Sequence, residues 1–278
     1  MASSEFLENY KIAGPVLRKL YDSSLRIAIL DALKDGPLRL ADLRRKVDAN
    51  APNTSSKAKD LEGLGLVERV GGDYRLTQLG AALRATLEEH LSSVATLEAH
   101  KEYWLSRRLD FIPRQSWSEI RLIKKSEVVK SPQLDTTYTH DNFAKLLMTV
   151  KKGSFKGISP IYHEDYMNAI KNMVANGVNI ELVVTPDVAK KIVKNLSKEE
   201  ARLLASYPKI KVYLYDGVDS GISVSDSFIV LCLVSKTDVV SLMDQYLYSE
   251  GPNAVKWGTN LFEYYRSRAK PVNLQDFL

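Results

Sequence analysis

The chain has 278 residues, 45% of them hydrophobic, which is enough for two domains with real cores, and 39 Lys or Arg stand against 34 Asp or Glu for a net charge of +5. A single cysteine, Cys232, excludes an intramolecular disulfide and a cysteine-rich metal site. No segment approaches the roughly 20 apolar residues of a membrane-spanning helix, and the opening residues lack the basic start and apolar middle of a signal peptide, so a soluble, cytoplasmic protein with no membrane partner is expected.

In chain order, the first helix predicted has Leu25, Ile29 and Leu33 on one face, is capped by Ser23 or Ser24, and stops at Asp35-Gly36-Pro37. A second runs from about Arg39 to Val47 with Leu40, Leu43 and Val47 on one stripe. Asp48-Ala49-Asn50 turns the chain, and Pro52 opens a third helix reaching about Leu64, with Ala58, Leu61 and Leu64 facing inward. After Gly65, Leu66–Val70 and Tyr74–Thr77 read as two strands joined through Gly71-Gly72-Asp73.

Three helices followed by a Gly-tipped hairpin is the order of parts in a winged helix-turn-helix. The third helix has what a reader of the major groove needs. Asn53, Thr54, Ser55, Ser56, Lys57 and Lys59 cluster in its first half, where short hydroxyl side chains let the backbone approach phosphate and lysines supply countercharge. Arg69 and Arg75 flank the hairpin tip as phosphate contacts. Charge alone does not decide: up to Gly80 there are 13 Lys or Arg against 11 Asp or Glu, a weak electrostatic footprint. Three helices and a hairpin also make protein-interaction modules, so an adaptor that never touches DNA stays open as an alternative.

From Gln78 to about Leu109, Leu79, Leu83, Leu87, Leu91, Val94 and Leu97 recur every three or four residues, one apolar stripe on a long helix. A helix of that length outreaches a small domain, so its stripe needs a partner surface: a second copy, or the chain's own second domain. A homodimer would set two recognition helices about 34 Å apart, in register with successive major grooves.

After Pro113 helices and strands alternate. Lys156–Pro160 reads as a strand end, Glu164–Asn176 as a helix, Asn179–Pro186 as a buried strand, and Asp187–Leu196 and Ser197–Tyr207 as helices, the last opened by a capping-box sequence. Lys209–Tyr215 and Gly221–Ser235 carry apolar strands, with Cys232 read as a buried small hydrophobe, and a helix from about Pro252 to Ala269 closes the domain. The fold class expected is thus α/β plus winged helix: an N-terminal winged helix-turn-helix over residues 1–77, a linking or dimerisation helix over 78–110, and a mixed α/β sensor domain over 111–278.

Catalysis is not expected. The order of elements suggests a remote likeness to the phospholipase D fold, but His163 is followed by Glu164 and Asp165, and His140 by Asp141 and Asn142, so neither has the lysine two residues on that this chemistry needs. The four histidines show no metal-ligand spacing, and no Gly-x-Gly-x-x-Gly, Walker or Gly-x-Ser-x-Gly motif occurs, so no metal and no cofactor are expected. An enzyme with an accessory helical domain remains the rival from another class. Sheets of this kind bind ligands at the carboxyl ends of their strands. That rule picks out Ser159, His163 and Thr185 after strands, and Asp226 with Ser227 interrupting another, as candidate contacts for a small-molecule effector.

Two stretches carry a family resemblance. Lys57–Val67 with Tyr74–Gly80 resembles the core of archaeal winged-helix regulators, related in outline to the arsenic-repressor superfamily. Ser223–Phe228, Asp244–Ser249 and Ala254–Tyr265 resemble the carboxy-terminal domain of the methanogen filamentation and methanogenesis regulator family. The resemblance implies an archaeal, cytoplasmic, dimeric transcription factor that binds a double-stranded DNA operator and senses a signal through its carboxy-terminal domain.

Overall fold

A computed structural model describes residues 4–131, 138–237 and 244–274, which fall into two compact units, 1–91 and 92–278. The first three residues of the stretch read for a leader lie outside the described residues.

The first unit opens with α1 (Glu5–Tyr21) and α2 (Ser24–Ala32), the latter ending in a 3-10 turn before Gly36, whose φ of 139° leads the chain out. A two-residue strand, β1 (Leu38–Arg39), then leads into α3 (Leu40–Lys46) and α4 (Ala51–Gly63), and β2 (Val67–Val70) and β3 (Asp73–Leu76) form a hairpin. Strand order is β1-β3-β2, antiparallel throughout. Gly71 and Gly72 both have positive φ, at 60° and 95°, as the tight turn demands. Leu20, Ile29, Leu30, Leu43, Leu61 and Tyr74 centre one core.

The three expected helices and the hairpin hold within a residue or two as α2, α3, α4 and β2–β3, but α1 and β1 were not expected. Gly14 and Pro15 lie inside α1, and the proline removes one backbone donor. The helix persists because Leu20 is completely buried and Val16 and Leu17 pack against the core, and tertiary burial outweighs the weak prior of propensity.

The expected apolar stripe, Leu79 to Leu97, falls wholly on α5 (Gln78–Ala99), but the helix expected to reach Leu109 is broken into α5 and α6 (Lys101–Ser106). The break is at His100, whose Nε2 lies 2.9 Å from the Ser126 hydroxyl, and helix ends at Ser106 rather than Leu109.

The second unit continues with α7 (Arg114–Ser118), β4 (Ser126–Lys130), α8 (Tyr138–Met148), β5 (Ser154–Ser159), α9 (Glu164–Ala175), β6 (Asn179–Val184), α10 (Pro186–Asn195) and α11 (Lys198–Ser206). After these come β7 (Ile210–Leu214), β8 (Gly221–Ser225), β9 (Phe228–Cys232), β10 (Gln245–Glu250), α12 (Pro252–Arg266) and β11 (Lys270–Val272). One eight-stranded mixed sheet runs β11-β7-β6-β5-β8-β9-β10-β4, parallel only across β5, β6 and β7. Both faces are covered, as the unbroken burial of β9 requires. Ile229, Leu231 and Leu233 point into one core with α12, while Phe228, Val230, Cys232 and Val234 point into the other with α8 and α9.

The mixed α/β expectation therefore stands. The α9, β6, α10, α11, β7 and α12 segments occur close to the expected bounds; β4, α8, β10 and β11 were not anticipated. Cys232 is buried, and burial pushes its thiol up to about 12, so it packs as a small apolar group.

Candidate nucleic-acid interface and ligand pocket

In the first unit, α4 is positioned by its own cap. The Asn50 side chain accepts the Asn53 backbone N–H at 2.9 Å, and Ala58 and Leu61 anchor the inner face with no solvent exposure. Asn53, Ser56 and Lys59 fall three residues apart on the exposed side, with Ser55 and Lys57 half-buried beside them. Thr54 departs from the sequence-based expectation. It is fully buried, and its hydroxyl donates to the Asn50 carbonyl at 2.8 Å, so it locks the first turn and presents nothing outward.

Lys57 lies 3.6 Å from Asp60, which also takes a two-nitrogen contact from Arg26 at 2.6 and 3.1 Å. The Arg26 hydrogen bond holds the Asp60 carboxyl below the usual carboxylate range, keeping it charged and partly balancing Lys57. Lys59 has no ion-pair partner among the described residues, which leaves it the freer cation on this face.

On the hairpin, Arg69 and Arg75 are both exposed. The Arg69 guanidinium sits 5.4 Å from the centre of the buried Tyr74 ring, while Arg75 Nε donates to Glu68 Oε1 at 2.8 Å. Both side chains are thus held on the hairpin surface, Arg75 with its charge half neutralised.

In the second unit a pocket with a cavity of about 90 Å3 forms at the carboxyl ends of β5 and β6, against α9 and α10. Its walls are almost wholly apolar, and its polar members are Ser159, Tyr162, His163, Tyr166 and Ser223. Beside it, the His140 and His163 rings stack with centres 5.0 Å apart, and His140 Nδ1 lies 2.7 Å from the Tyr166 hydroxyl. Burial, and then the neighbouring His163, lowers the His140 pKa, and burial pushes the Tyr166 hydroxyl up.

Of the residues expected at an effector site, the structure brings Ser159 and His163 together at this pocket. Thr185 is half-buried and caps α10, its hydroxyl accepting the Val188 N–H at 3.3 Å. Asp226 and Ser227 do not converge with them. They form the tip of the β8–β9 hairpin, where Asp226 accepts from the Ser154 N–H and hydroxyl at the opposite end of β5, about 17 Å along the strand from Ser159. The Ser-Asp-Ser stretch is a turn whose polar groups satisfy one another, with Ser225 accepting the Ser227 and Phe228 N–H groups. His140, Tyr166 and Ser223 were missed. They reach the site from α8, α9 and β8, and no local spacing signals a convergence across three elements.

Among the described residues no three metal-binding side chains converge, and no helix is long and apolar enough to cross a membrane.

Comparison with known proteins places a family on each half. Residues 16–99 match the profile of the HVO_A0261 N-terminal domain, and residues 137–268 that of the middle domain of methanogenesis regulatory protein FilR1. The second match agrees with the resemblance carried by the carboxy-terminal motifs. A curated relative, methanogenesis regulatory protein FilR1 of Methanothrix harundinacea (strain 6Ac), is 26% identical over 259 residues, 91% of this chain. The chain spans only 57% of that relative's length. Among solved structures, TrmBL2, described as an archaeal chromatin protein, aligns over 93% of this chain and 98% of its own, at 16% identity and a TM-score of 0.44. NucT from Helicobacter pylori aligns over 53% of this chain and 98% of its own, at 12% identity and a TM-score of 0.39.

Proposed function

We propose that this protein is a sequence-specific DNA-binding transcriptional regulator, not an enzyme. Residues 1–77 act as a winged helix-turn-helix, 78–110 link two copies into a homodimer, and 111–278 sense a small-molecule effector. The observation that carries the reading is the outward row on α4, where Asn53, Ser56 and Lys59 stand exposed on a helix whose opposite face is fully sealed into the core. A helix so anchored can enter a major groove without unpacking its domain. Ser55 and Lys57 border the row, and Arg69 and Arg75 on the hairpin are the flanking phosphate contacts. Kinship with a methanogenesis regulatory protein supports the same reading.

The homodimer is supported by the stripe on α5. Leu87 is buried, but Leu79, Leu91, Val94 and Leu97 are between 37% and 62% exposed, an apolar row that a second copy would cover. The effector is assigned to the pocket beside Ser159 and His163, and its binding alters operator affinity through its preference for one of two packings of the second unit.

Footprinting of the intact protein on the DNA upstream of its own gene tests the assignment. The expected pattern is two protected half-sites about one helical turn apart, whereas uniform, sequence-blind protection at every salt concentration contradicts it.

A further inference from the structure

The pocket beside His163 does not end there. A second apolar chamber lies under α10 and α11, and the two adjoin across Met167, Ile170, Leu182, Val184 and Ile192, which line both. Every side chain lining the second chamber is aliphatic or methionine, down to Val272 and Leu274 at its far end. Several shared walls are only half-buried, although residues of that type normally close on one another in a core.

The polar groups gather at one end. The Ser159 hydroxyl is spent on the Ile161 carbonyl at 2.8 Å, and Tyr166 is spent on His140. His163 Nδ1 lies 3.3 Å from the Asp165 backbone N–H and 3.6 Å from the Asp165 carboxylate, and its Nε2 has no hydrogen-bond partner among the described residues. The half-buried Ser223 hydroxyl has none either. No lysine, arginine or carboxylate lines either chamber, while Glu164 and Asp165 open α9 beside His163.

Resting on the reading of the second unit as the effector-binding half, we infer that the two adjoining chambers open into one another to take an uncharged amphiphile. Its extended aliphatic chain lies between the sheet and α9, α10 and α11, and a single hydroxyl or carbonyl head meets His163 Nε2 and Ser223. The chain is demanded by a long apolar enclosure that water wets poorly. The neutral head is demanded by the polar groups present: a carboxylate would lose its hydration with no cation to replace it and two acidic side chains nearby, whereas an alcohol or ketone oxygen needs only the imidazole nitrogen and the hydroxyl on offer.

Calorimetric titration of the full chain with octanol, decanol and dodecanol, each below its solubility limit, and with decanoate at pH 8, tests this. Affinity is expected to rise about fourfold for each added methylene until the chamber is full. Decanol is expected to bind at least tenfold more tightly than decanoate. Ala205→Trp, which fills the far chamber, removes the dependence on chain length, and Ala189→Phe does the same should the first variant not fold. The pair His163→Leu and Ser223→Ala weakens every alcohol about equally and keeps the chain-length trend. Absence of saturable binding, tighter binding of decanoate, or a chain-length trend that survives both filling variants overturns the inference. Operator affinity is measured in parallel without ligand, so loss of DNA binding, which would count against the regulator reading, registers separately from loss of alcohol binding.

Discussion

Thr54 and Lys59 sit five residues apart on one helix and do opposite work. Thr54 turns inward to bond the Asn50 carbonyl, so Thr54→Val should cost about 1 kcal/mol of stability, measured by denaturant unfolding, and leave DNA affinity at a fixed stability margin unchanged. Glu68 offers a second test. It holds Arg75 at 2.8 Å on an exposed hairpin, and a surface pair of this kind contributes little to stability. Glu68→Gln should therefore leave the melting temperature nearly unchanged, yet raise affinity for all DNA sequences alike by freeing a cation, as seen in binding assays on unrelated duplexes. Residues of this sort explain the limits of sequence reading. Ser159 and His163 were legible as candidates because they follow a strand. Thr54 was misread because a hydroxyl in a helix's first turn serves a cap as readily as a ligand, and Asp226 because a polar break between apolar strands marks a hairpin as readily as a cleft.

At the scale of elements, the junction of the hairpin with α5 is closed by Gly80. A Cβ there would lie 1.9 Å from the Leu66 carbonyl oxygen, which accepts the Thr77 N–H at 3.0 Å. In an open helix Gly→Ala gains about 1 kcal/mol, but Gly80→Ala should instead destabilise the first unit, and a raised unfolding midpoint would contradict the close approach. In the second unit α11 begins with a complete capping box, Ser197 and Glu200 each bonding the other's backbone N–H. The hydrogen bond from Lys171, and then the Ser197 N–H, bring the Glu200 carboxyl down to about 2. Because that value lies below the unfolded one, its stabilisation is complete above about pH 4.3 and fades as pH falls toward 2. Carboxyl NMR should show Glu200 titrating near 2, and Glu200→Gln should lose the extra acid sensitivity in that window.

The same scale shows why some elements were legible and others were not. Helices α2 to α4, the β2–β3 hairpin, and the run from α9 to β7 each announce themselves by caps, Gly-turns or periodic apolar residues. The strands β4, β10 and β11 are three to six residues long with polar residues among them, and what makes them strands is pairing with partners far along the chain, such as Tyr246 opposite Val129. The break at His100 is likewise set by a contact, its bond to Ser126, and the apolar stripe that predicted one unbroken helix carries no trace of it.

For the whole molecule, the proposed homodimer rests on the exposed row Leu91, Val94 and Leu97. Replacing Leu91 and Val94 together by glutamate should shift the protein to monomer in sedimentation equilibrium and cut affinity for a two-half-site operator by tenfold or more, while leaving half-site affinity almost unchanged. A monomeric parent protein would remove that basis for half-site spacing. The exposed face of α4 is proposed to lie in a DNA groove, and comparing the parent chain with Lys59→Ala on its own upstream DNA across a salt series tests this. Lys59→Ala should bind more weakly, with a salt slope smaller by about one unit. Identical affinity and slope for the two proteins would contradict it.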